Sequence, residues 1–415
     1  MEAYILKNLR HNYIYNLLDG GFFGLALGFA SFITVIPLFV STFTDSAILI
    51  GLVPAIHNMG WQLPQLLIAN RVSQQSSFKP MLLRFTIHER IPFLAMAIVA
   101  WMSPRLGDKL TLTAIFLLLI WQGLAGGFSA SPWQSMIAKI FPSDRRGTFY
   151  GSQSSAANFL ASISAILAGF ILGRLVSPLD FTLCFIFASV FMGVSWIALA
   201  KTREPQSELA LPTRDRREFW QSIASILKRD GNFRWFLLVR MLSQVAVMGF
   251  SFYTVYAVRS LGMSEITVGI LTGVLLGTAI IANPVMGWIG DHWSHRLLMA
   301  IGVLAASASA LIAWLAPTPV WFVPVFMLAG VANVAVWTIS LAMIPDFSSE
   351  ADLPSYIGLA NTLIAPVTIL APLLGGWLAQ AGGYQTAFIA SAIGGVLTSL
   401  ILVIFVKDPR QATVA

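Results

Sequence analysis

Twelve long apolar runs divide this chain, and each is long enough to cross a lipid bilayer as a helix. They fall at about 12–40, 47–70, 80–102, 110–131, 148–173, 179–200, 232–259, 265–290, 295–316, 320–344, 354–380 and 384–407. A helix needs about 20 mostly apolar residues to cross the hydrocarbon core, whereas a transmembrane barrel would show alternating segments of about 10 residues. Only 10% of the residues are charged, which leaves little material for a soluble domain. The sequence therefore predicts an all-α polytopic membrane protein.

The basic residues predict how the chain is oriented. With the N-terminus inside, 19 of the 25 Lys and Arg residues fall in inside-facing segments and four fall outside. This bias matches the positive-inside rule and predicts a plasma (inner) membrane protein with both termini cytoplasmic. Because the net charge of +7 then reflects topology, we expect no nucleic-acid partner. The lone cysteine, Cys184, excludes a disulfide framework and a cysteine-based metal cluster.

Two halves of the sequence repeat each other. Pro64 near the end of the second run corresponds to Pro284 near the end of the eighth, and further landmarks recur in the same order. We therefore divide the chain into an N-terminal bundle of six helices at 1–200 and a C-terminal bundle of six helices at 232–415. In repeated transporters the substrate site lies near the membrane midplane between the repeats.

The segment 201–231 is the one long polar connection in the sequence. In it Phe219, Ile223 and Ile226 fall on one helical face, with basic residues at both ends. That pattern predicts a helix lying at the inner membrane surface. The alternative is an unstructured tether that becomes helical only where it enters the seventh span.

The loop after the eighth run carries a recognisable motif. Its residues, Gly287-Trp-Ile-Gly-Asp291-His-Trp-Ser-His295-Arg296, resemble the G-x-x-x-D-x-x-x-x-R signature loop of the major facilitator superfamily. The resemblance covers essentially the whole chain. It implies two pseudo-symmetric six-helix bundles and secondary transport by alternating access. In that family the signature loop holds the cytoplasmic face closed in one state and releases it in the other.

The resemblance also implies where this loop binds. A glycine allows a close helix approach, and an aspartate is stabilised at the positive N-terminal end of another helix. We therefore expect Asp291 near the start of the fifth span, beside Arg145, Arg146 and Gly147.

Other motifs of the superfamily are incomplete. The equivalent loop after the second run has Asn70 and Arg71, with Asn where the family has Asp. Patterns that resemble those of drug:proton antiporters are partial: Thr34 replaces a proline in the first span, and Leu119 replaces the arginine before Gln122. The sequence thus leaves drug:proton antiport open, and the two signature loops need not be equivalent.

Four charged residues lie deep in the predicted spans, namely Asp19, Glu89, Arg90 and Arg240. Charges in the membrane are costly and usually mark a pathway or a pair. Asp19 and Arg240 occupy matching depths in spans 1 and 7, so one hypothesis is that they form a cytoplasmic gate. The alternative is that Asp19 pairs with Arg84 or Arg90 of span 3 in its own half.

The remaining candidates are titratable or polar side chains in spans. His57 could carry a proton at physiological pH, although a hydrogen-bonded structural role is the stronger expectation. Polar and aromatic residues on spans that line a cavity are expected to contact the substrate, because amphipathic ligands need apolar walls with a few polar groups. They are Gln122, Gln134, Gln244, Tyr253, Asn333, Trp337 and Asn361.

These features favour a secondary active transporter of a small organic solute, amphipathic or hydrophobic. The sequence has no phosphate-binding G-x-x-x-x-G-K-[S/T] motif, so energy must come from ion or solute gradients. Export, with proton coupling left open, is the leading hypothesis; an importer or facilitator and a non-transporting assembly factor or receptor are the alternatives. We expect no enzymatic activity, no cofactor and no metal, since no nucleophile–base set or ligand cluster occurs at mid-membrane depth. The expected partners are the solute, protons and the bilayer, and we expect the chain to function as a monomer.

Overall fold

The computed structural model describes residues 2–44, 46–206, 216–263, 265–349 and 352–408. Within these ranges all regular elements are helical, and nine helices are long and apolar enough to cross a membrane. One of the nine, Lys79–Ile140, is interrupted at Gly107, which has φ 72° and ψ 169°, and therefore supplies two spans. Two spans built from shorter helices precede it. The predicted twelve-helix architecture is confirmed.

The N-terminal half contains spans 1 to 6. Their helices are Glu2–Phe29 with Val35–Ser41, Ala47–Gln62 with Gln65–Ser73, the two arms of Lys79–Ile140, Arg146–Arg174 and Leu179–Ala200. The break in span 2 falls at Pro64, because proline supplies no backbone N–H for the preceding turn. Span 1 begins at Glu2, about ten residues before the apolar run, so its first turns extend beyond the predicted membrane segment.

The C-terminal half contains a connecting helix and spans 7 to 12. The connecting helix is Arg216–Arg229. The spans are Gly231–Val247 with Phe250–Leu261, Glu265–His292, His295–Leu315, Phe322–Met343 with a π-helical turn at Ala335–Ile339, Leu353–Gly382 and Tyr384–Phe405. Ser294 begins span 9 as an N-cap, since its side chain accepts a hydrogen bond from the Leu297 N–H.

The chain forms two compact units that do not coincide with the sequence halves. Unit 1 comprises Met1–Pro142, Ala156–Thr213 and Glu350–Thr362, and unit 2 comprises the remaining segments, Ser143–Ser155, Arg214–Ser349 and Leu363–Ala415. The first turns of span 5 therefore belong to unit 2, and the first turns of span 11 belong to unit 1. This reciprocal exchange places two functional junctions, described below, inside single units.

Each unit has an aromatic core. In unit 1, Phe39 packs against Phe181 and Phe185 of span 6 with ring centroids 4.9 and 5.5 Å apart. In unit 2, Tyr253 packs against Phe388 of span 12 at 5.3 Å. Inside a bilayer, lipid tails are as apolar as these side chains, so close packing rather than water exclusion stabilises the contacts.

The connecting helix differs from its prediction in one respect. A helix forms over Arg216–Arg229 as expected, but its apolar face, formed by Phe219, Ile223 and Ile226, is buried in the protein. The face predicted to lie on the membrane surface is therefore occupied by protein contacts, because those side chains find apolar partners within the fold. Residues 207–215 of the predicted linker lie outside the described residues.

The segment that follows span 6 is fixed to the start of its own bundle. Asn12 Nδ2 donates to the Arg203 carbonyl and the Arg203 N–H donates back to Asn12 Oδ1, both at 2.8 Å. The Glu204 carboxylate accepts the backbone N–H groups of Phe78 and Lys79, each at 2.8 Å, and so caps span 3. We call Asn12, Arg203 and Glu204 the tail clamp of unit 1.

Unit 2 repeats this arrangement after span 12. Asn232 Nδ2 donates to the Lys407 carbonyl at 2.9 Å, and the Lys407 N–H donates back to Asn232 Oδ1 at 2.7 Å. The Asp408 carboxylate accepts the hydroxyl of Ser294, the N-cap of span 9. Asn232, Lys407 and Asp408 form the tail clamp of unit 2, so the internal repeat extends to hydrogen bonds that sequence matching did not detect.

Candidate functional site

A cluster of buried charges lies in unit 1. Arg90 Nη2 lies 3.3 Å from Asp19 Oδ1, and the Ser195 hydroxyl donates to the same oxygen at 2.6 Å. Arg90 Nη1 lies 3.7 Å from Glu89 Oε2, which also accepts the Ser129 hydroxyl at 3.0 Å. All three charged side chains are about 8% exposed. We call Asp19, Glu89 and Arg90 the membrane charge cluster.

This geometry supports one of the two hypotheses for Asp19. Its carboxylate is bound by Arg90 inside its own half, which is the alternative to a gate with Arg240. The gate with Arg240 stays a prediction, and it requires Asp19 to leave a buried pair, which costs several kcal/mol. Arg240 is itself buried in unit 2.

His57 forms a second polar contact in unit 1. Its Nδ1 lies 3.0 Å from Oε1 of Gln122, and its ring stacks on Phe32 with centroids 3.8 Å apart. Gln122 is fully buried, so it bridges spans 2 and 4 and does not line an open cavity as expected. His57 has the hydrogen-bonded structural environment that the sequence favoured.

The signature loop binds where the resemblance implied. The Gly147 and Thr148 N–H groups at the start of span 5 donate to Asp291 Oδ1 and Oδ2 at 2.8 and 2.6 Å. Gly287 allows this approach, because a Cβ there would overlap the Gly147 carbonyl. A carboxylate on the first N–H groups of a helix satisfies free donors and meets the positive end of the helix dipole.

Further charges surround this contact in unit 2. Arg146 Nη1 lies 3.5 Å from Asp346 Oδ1 at the end of span 10. His295 lies between two carboxylates, with Nε2 3.5 Å from Asp291 Oδ1 and Nδ1 3.8 Å from Asp346 Oδ2. We call Asp291, His295, Asp346 and Arg146, together with the Gly147 amide, the charged junction. Two neighbours differ: Arg145 is exposed, and Arg296 donates to the Val406 carbonyl at 2.7 Å.

An uncharged contact in unit 1 joins spans 2 and 11. Asn361 Nδ2 donates to Gln65 Oε1 at 2.7 Å and lies 3.3 Å from Gln134 Oε1. The hydroxyl of the next residue, Thr362, lies 3.2 Å from the carbonyl of Gln62, which is about one turn before Gln65. Gly358 allows the approach, since a Cβ there would lie 2.9 Å from Leu66 Cα. We call Gln65, Gln134, Asn361 and Thr362 the amide junction.

Asn70 and Arg71 of the equivalent signature loop lie near the end of the helix Gln65–Ser73. Arg71 is exposed, and Asn70 Oδ1 lies 3.4 Å from Nε2 of Gln74 in its own helix. Gln65, which accepts from Asn361, lies more than one helical turn before Asn70.

The expected substrate-cavity residues separate into buried and accessible groups. Tyr253 is buried in the aromatic core of unit 2 and accepts the Ser309 hydroxyl at 3.0 Å, and Gln244 is also buried. Gln134 and Asn361 are buried in the amide junction. Asn333 is exposed and Trp337 is half-buried, one on each side of the start of the π-helical turn. Of the seven expected residues, these two remain accessible in the structure.

An open apolar cavity of about 480 Å³ in unit 2 is lined by residues of span 11 and by Val245 of span 7. Its walls include Val245, Leu370, Leu374 and Trp377. The aliphatic and indole surfaces suit an apolar solute. Within the described ranges, no group of three or more His, Cys, Asp or Glu side chains is arranged to hold a metal ion.

Sequence reasoning missed several residues of these sites. Gln65 was not singled out, although it binds Asn361, and neither were Ser195 and Ser129, which satisfy the charged cluster. A usable signal was present in spans 5 and 11: Gly151 is followed four residues later by Ser155, and Gly358 by Thr362. Glycine and hydroxyl residues on one face at this spacing are typical of close helix contacts in membranes.

Comparison with known proteins agrees with this architecture. The family model described as Major Facilitator Superfamily matches residues 18–258 and 251–415. The chain is 27% identical over 201 residues to the uncharacterized MFS-type transporter YfkF of Bacillus subtilis, covering 44% of this chain and 49% of that protein. It is 21% identical over 155 residues to the quinolone resistance protein NorA of Staphylococcus aureus, covering 37% and 40%. The matches thus span less than half the length of these relatives.

Solved structures share the fold over nearly the whole chain. The fucose:proton symporter FucP of E. coli superposes with a TM-score of 0.74 at 15% identity, over 96% of this chain and 100% of that chain. The human organic anion transporter MFSD10 gives a TM-score of 0.73 at 13% identity, over 95% and 99%. At such identities the likeness shows the fold alone. Together with the family match, the fold defines a multi-pass membrane protein of two six-helix halves. The chain belongs to the Major Facilitator Superfamily.

Proposed function

We propose that this protein is a proton-coupled secondary transporter that exports a small apolar or amphipathic organic solute. The observation that carries the proposal is the membrane charge cluster, in which Asp19 and Glu89 share one guanidinium, that of Arg90. With both carboxylates ionised, these three groups carry one excess negative charge. Binding one proton makes them neutral, and that difference is large in a low-dielectric site.

This charge balance supplies a mechanism for coupling. In the protonated cluster, Arg90 is neutralised by one carboxylate and the other is a neutral acid. Loss of the proton makes Asp19 and Glu89 compete for Arg90, which favours a rearrangement of spans 1, 3 and 6. Ser195 and Ser129 follow these changes by reorienting their hydroxyls. Protonation of the cluster thereby biases one conformation over another, which is the requirement for coupling two gradients.

The nature of the solute is inferred from the accessible residues of unit 2. The open apolar cavity offers aliphatic and indole surfaces, and Asn333 adds one accessible amide. Asn333 lies roughly 120° around span 10 from the exposed Met327, at about 100° per residue. The Asn333 amide therefore lies on a different face of span 10 from Met327, and we assign it a polar contact to the solute. The names of two relatives, multidrug resistance protein 1 and quinolone resistance protein NorA, also favour export of such compounds.

Import is the second candidate function. The fold neighbours FucP and XylE are described as proton symporters of fucose and xylose, and the same cluster could couple import to proton entry. A sugar needs several polar contacts, whereas the cavity of unit 2 is apolar, so we favour an amphipathic solute. We further propose that both termini are cytoplasmic in the plasma membrane, as the charge pattern predicts, that the protein works as a monomer, and that the charged and amide junctions act as latches.

Reconstituted protein tests the proposal. Liposomes that contain a pH-sensitive dye would report proton movement when norfloxacin or ethidium is added on either side. We expect solute-driven proton flux in wild type and its loss, by at least tenfold, in Asp19→Asn and Glu89→Gln. The matched control is Asp180→Asn, since Asp180 is a buried carboxylate that accepts the N–H of Phe181 outside the cluster.

The outcomes separate the candidates. Flux driven by fucose or xylose, with none from norfloxacin or ethidium, would favour import. Full proton flux in both cluster variants would contradict coupling through the membrane charge cluster.

A further inference from the structure

We infer that the charged junction contains a second proton-binding site, the imidazole of His295, whose protonation holds spans 5, 8 and 10 together. The site deepens the proposed function and rests on it for its role in the transport cycle. Its structural basis is independent of the membrane charge cluster, which lies in unit 1, whereas His295 lies in unit 2.

The position of the ring carries the inference. His295 is 2% exposed, and its two nitrogens face two different carboxylates, Asp291 Oδ1 at 3.5 Å and Asp346 Oδ2 at 3.8 Å. A neutral imidazole has one N–H and one lone pair, so one nitrogen would present its lone pair to a carboxylate oxygen. The imidazolium has a donor on both nitrogens and can attract both carboxylates. Two carboxylates that face the two ring nitrogens therefore suit a ring with a donor on each nitrogen.

Close packing keeps the ring in this position. A Cβ at Gly147 would overlap His295 Nε2, and a Cβ at Gly290 would overlap the ring carbon Cδ2. Two glycines, one from span 5 and one from span 8, thus leave the space that the imidazole fills. Because span 9 begins at His295, the ring also connects this helix to the other two spans.

All charged groups around the ring enter the charge balance. They are Asp291 from span 8, Asp346 from span 10, Arg146 from span 5, and Arg296 and Asp408 near the start of span 9. Arg296 donates to the Val406 carbonyl and Asp408 accepts from Ser294, so both take part in the contact between the start of span 9 and the tail of span 12. For Asp291, Asp346 and Arg146 the sum is one negative charge, and a proton on His295 brings it to zero.

The consequence is a junction that depends on the pH of the adjacent compartment. At low pH the imidazolium attracts Asp291 and Asp346, and the junction is held. As pH rises, His295 loses its proton to water, one nitrogen then faces a carboxylate without a donor, and the junction weakens. Release of a proton from His295 into the adjacent compartment would thereby favour opening of the protein toward that compartment.

Spin labels can follow this junction without any solute. In a Cys184→Ala background, labels at Asp144→Cys and Trp293→Cys would report the distance between the starts of spans 5 and 9, since both positions are exposed. For wild type in liposomes we expect the ratio of held to released molecules to fall roughly tenfold between about pH 6 and about pH 8, within the usual range of coupling energies.

Three variants test the assignment. His295→Arg should remain held at both pH values, because arginine keeps its charge, and His295→Gln should lose the pH response. His292→Gln is the matched control, since His292 is exposed and contacts the Trp288 carbonyl in its own helix; it should respond as wild type does. A pH response of wild-type size in His295→Gln would overturn the inference.

The readout separates this inference from the proposed function. A pH-dependent distance with no solute-driven proton flux would support the site at His295 and contradict proton-coupled transport. Flux that needs Asp19 and Glu89, with a distance that does not change with pH, would support the transport proposal and overturn the inference.

Discussion

The charged junction and the amide junction lie at equivalent places in the two repeats but use different chemistry. In unit 2, Gly151 of span 5 lies against Asn283 of span 8, and Ser155 donates to the Ile280 carbonyl at 2.7 Å. In unit 1, Gly358 of span 11 lies against Leu66 of span 2, and the Thr362 hydroxyl lies near the Gln62 carbonyl. Both junctions thus share a glycine and a hydroxyl four residues later.

The difference arises at the second helical residue of the approaching span. In span 5 this residue is Gly147, whose N–H donates to Asp291. In span 11 the second helical residue is Pro354, which has no N–H. An aspartate at position 70 would therefore lack one of the two donors that Asp291 uses. Position 70 thus lacks the acid and position 354 lacks the donor, and the amide junction joins spans 2 and 11 through neutral hydrogen bonds.

This comparison teaches that an incomplete signature loop does not mean an absent contact. Gln65, Gln134 and Asn361 join the spans through neutral hydrogen bonds, which are indifferent to pH near neutrality and only weakly affected by salt. The charged junction includes the charged groups Asp291, Asp346 and Arg146, whose attraction is weakened by salt. The strength of the charged junction therefore depends on the composition of the solution, whereas the strength of the amide junction does not.

The largest expected effect is steric. Gly151→Ala should lower the initial transport rate at least tenfold, because the new Cβ would overlap the Asn283 carbonyl and overpacking costs about 1–3 kcal/mol. Gly358→Ala should lower it less, about threefold, since its nearest atom is Leu66 Cα at 2.9 Å. Gly169→Ala is the control on the same helix as Gly151, with open space around its Cβ position. Equal losses of transport rate in Gly151→Ala and Gly358→Ala would contradict the tighter helix contact at Gly151.

Removal of the charge on Asp291 should have the second-largest effect. Asp291→Asn keeps the shape but weakens two charge-assisted bonds to Gly147 and Thr148, which are worth about 1.5–3 kcal/mol each. Hydrogen–deuterium exchange of the segment that begins span 5 should accelerate at least tenfold. His292→Gln should leave the exchange unchanged. Unaltered exchange in Asp291→Asn would show that the carboxylate does not hold the junction.

The corresponding change in the amide junction should be smaller. Asn361→Ala removes neutral hydrogen bonds to Gln65 and Gln134, and such bonds contribute about 1 kcal/mol. Exchange at the Leu66 N–H, which donates to Thr362 at 3.2 Å, should accelerate about fivefold. Gln380→Ala changes an exposed amide of the same helix and serves as the control. An acceleration as large as that of Asp291→Asn would erase the energetic distinction between the junctions.

Salt should distinguish the junctions in the unaltered protein. Raising ionic strength from about 0.1 to about 1 M shortens the screening length from about 10 to about 3 Å. Exchange at the start of span 5 should then accelerate up to threefold, because partly buried ion pairs are screened incompletely, while exchange at Leu66 should stay constant. Equal acceleration of exchange at the start of span 5 and at Leu66 would indicate that charge does not distinguish the two junctions.

Restoring the acid should have the smallest effect. Asn70→Asp recreates the family residue, but Pro354 offers no N–H to it, so exchange at Leu66 should change by less than twofold. Adding Pro354→Ala supplies the donor and should slow exchange only when Asn70→Asp is also present. Slowing by Asn70→Asp alone would show that the missing N–H is not the reason for the altered loop.

Much of the fold followed from local sequence information, because apolar runs and helix length relate directly to bilayer thickness. The position of Asp291 followed from the motif, since a carboxylate and a helix N-terminus attract each other wherever the chain brings them together. Its further neighbours could not be inferred in this way. Asp346 reaches His295 from span 10, and no spacing along the sequence relates them.

The buried polar residues show a second limit. Asp19 had two equally reasonable partners by depth, and the choice of Arg90 depends on which helices are neighbours. Gln122, Gln134 and Asn361 were expected at the solute because amides are useful there, but amides also satisfy one another between helices. Depth and residue type give the candidates, and packing decides whether a side chain faces a cavity or a neighbouring helix.

The two tail clamps have a consequence for how the gene could be divided. Each bundle binds its own last residues, through Glu204 in one and Asp408 in the other. A break in the polypeptide between Gln206 and Arg217 would therefore leave span 6 anchored to the start of span 3. Two separately translated products should each insert and keep the contacts of their own tail clamp.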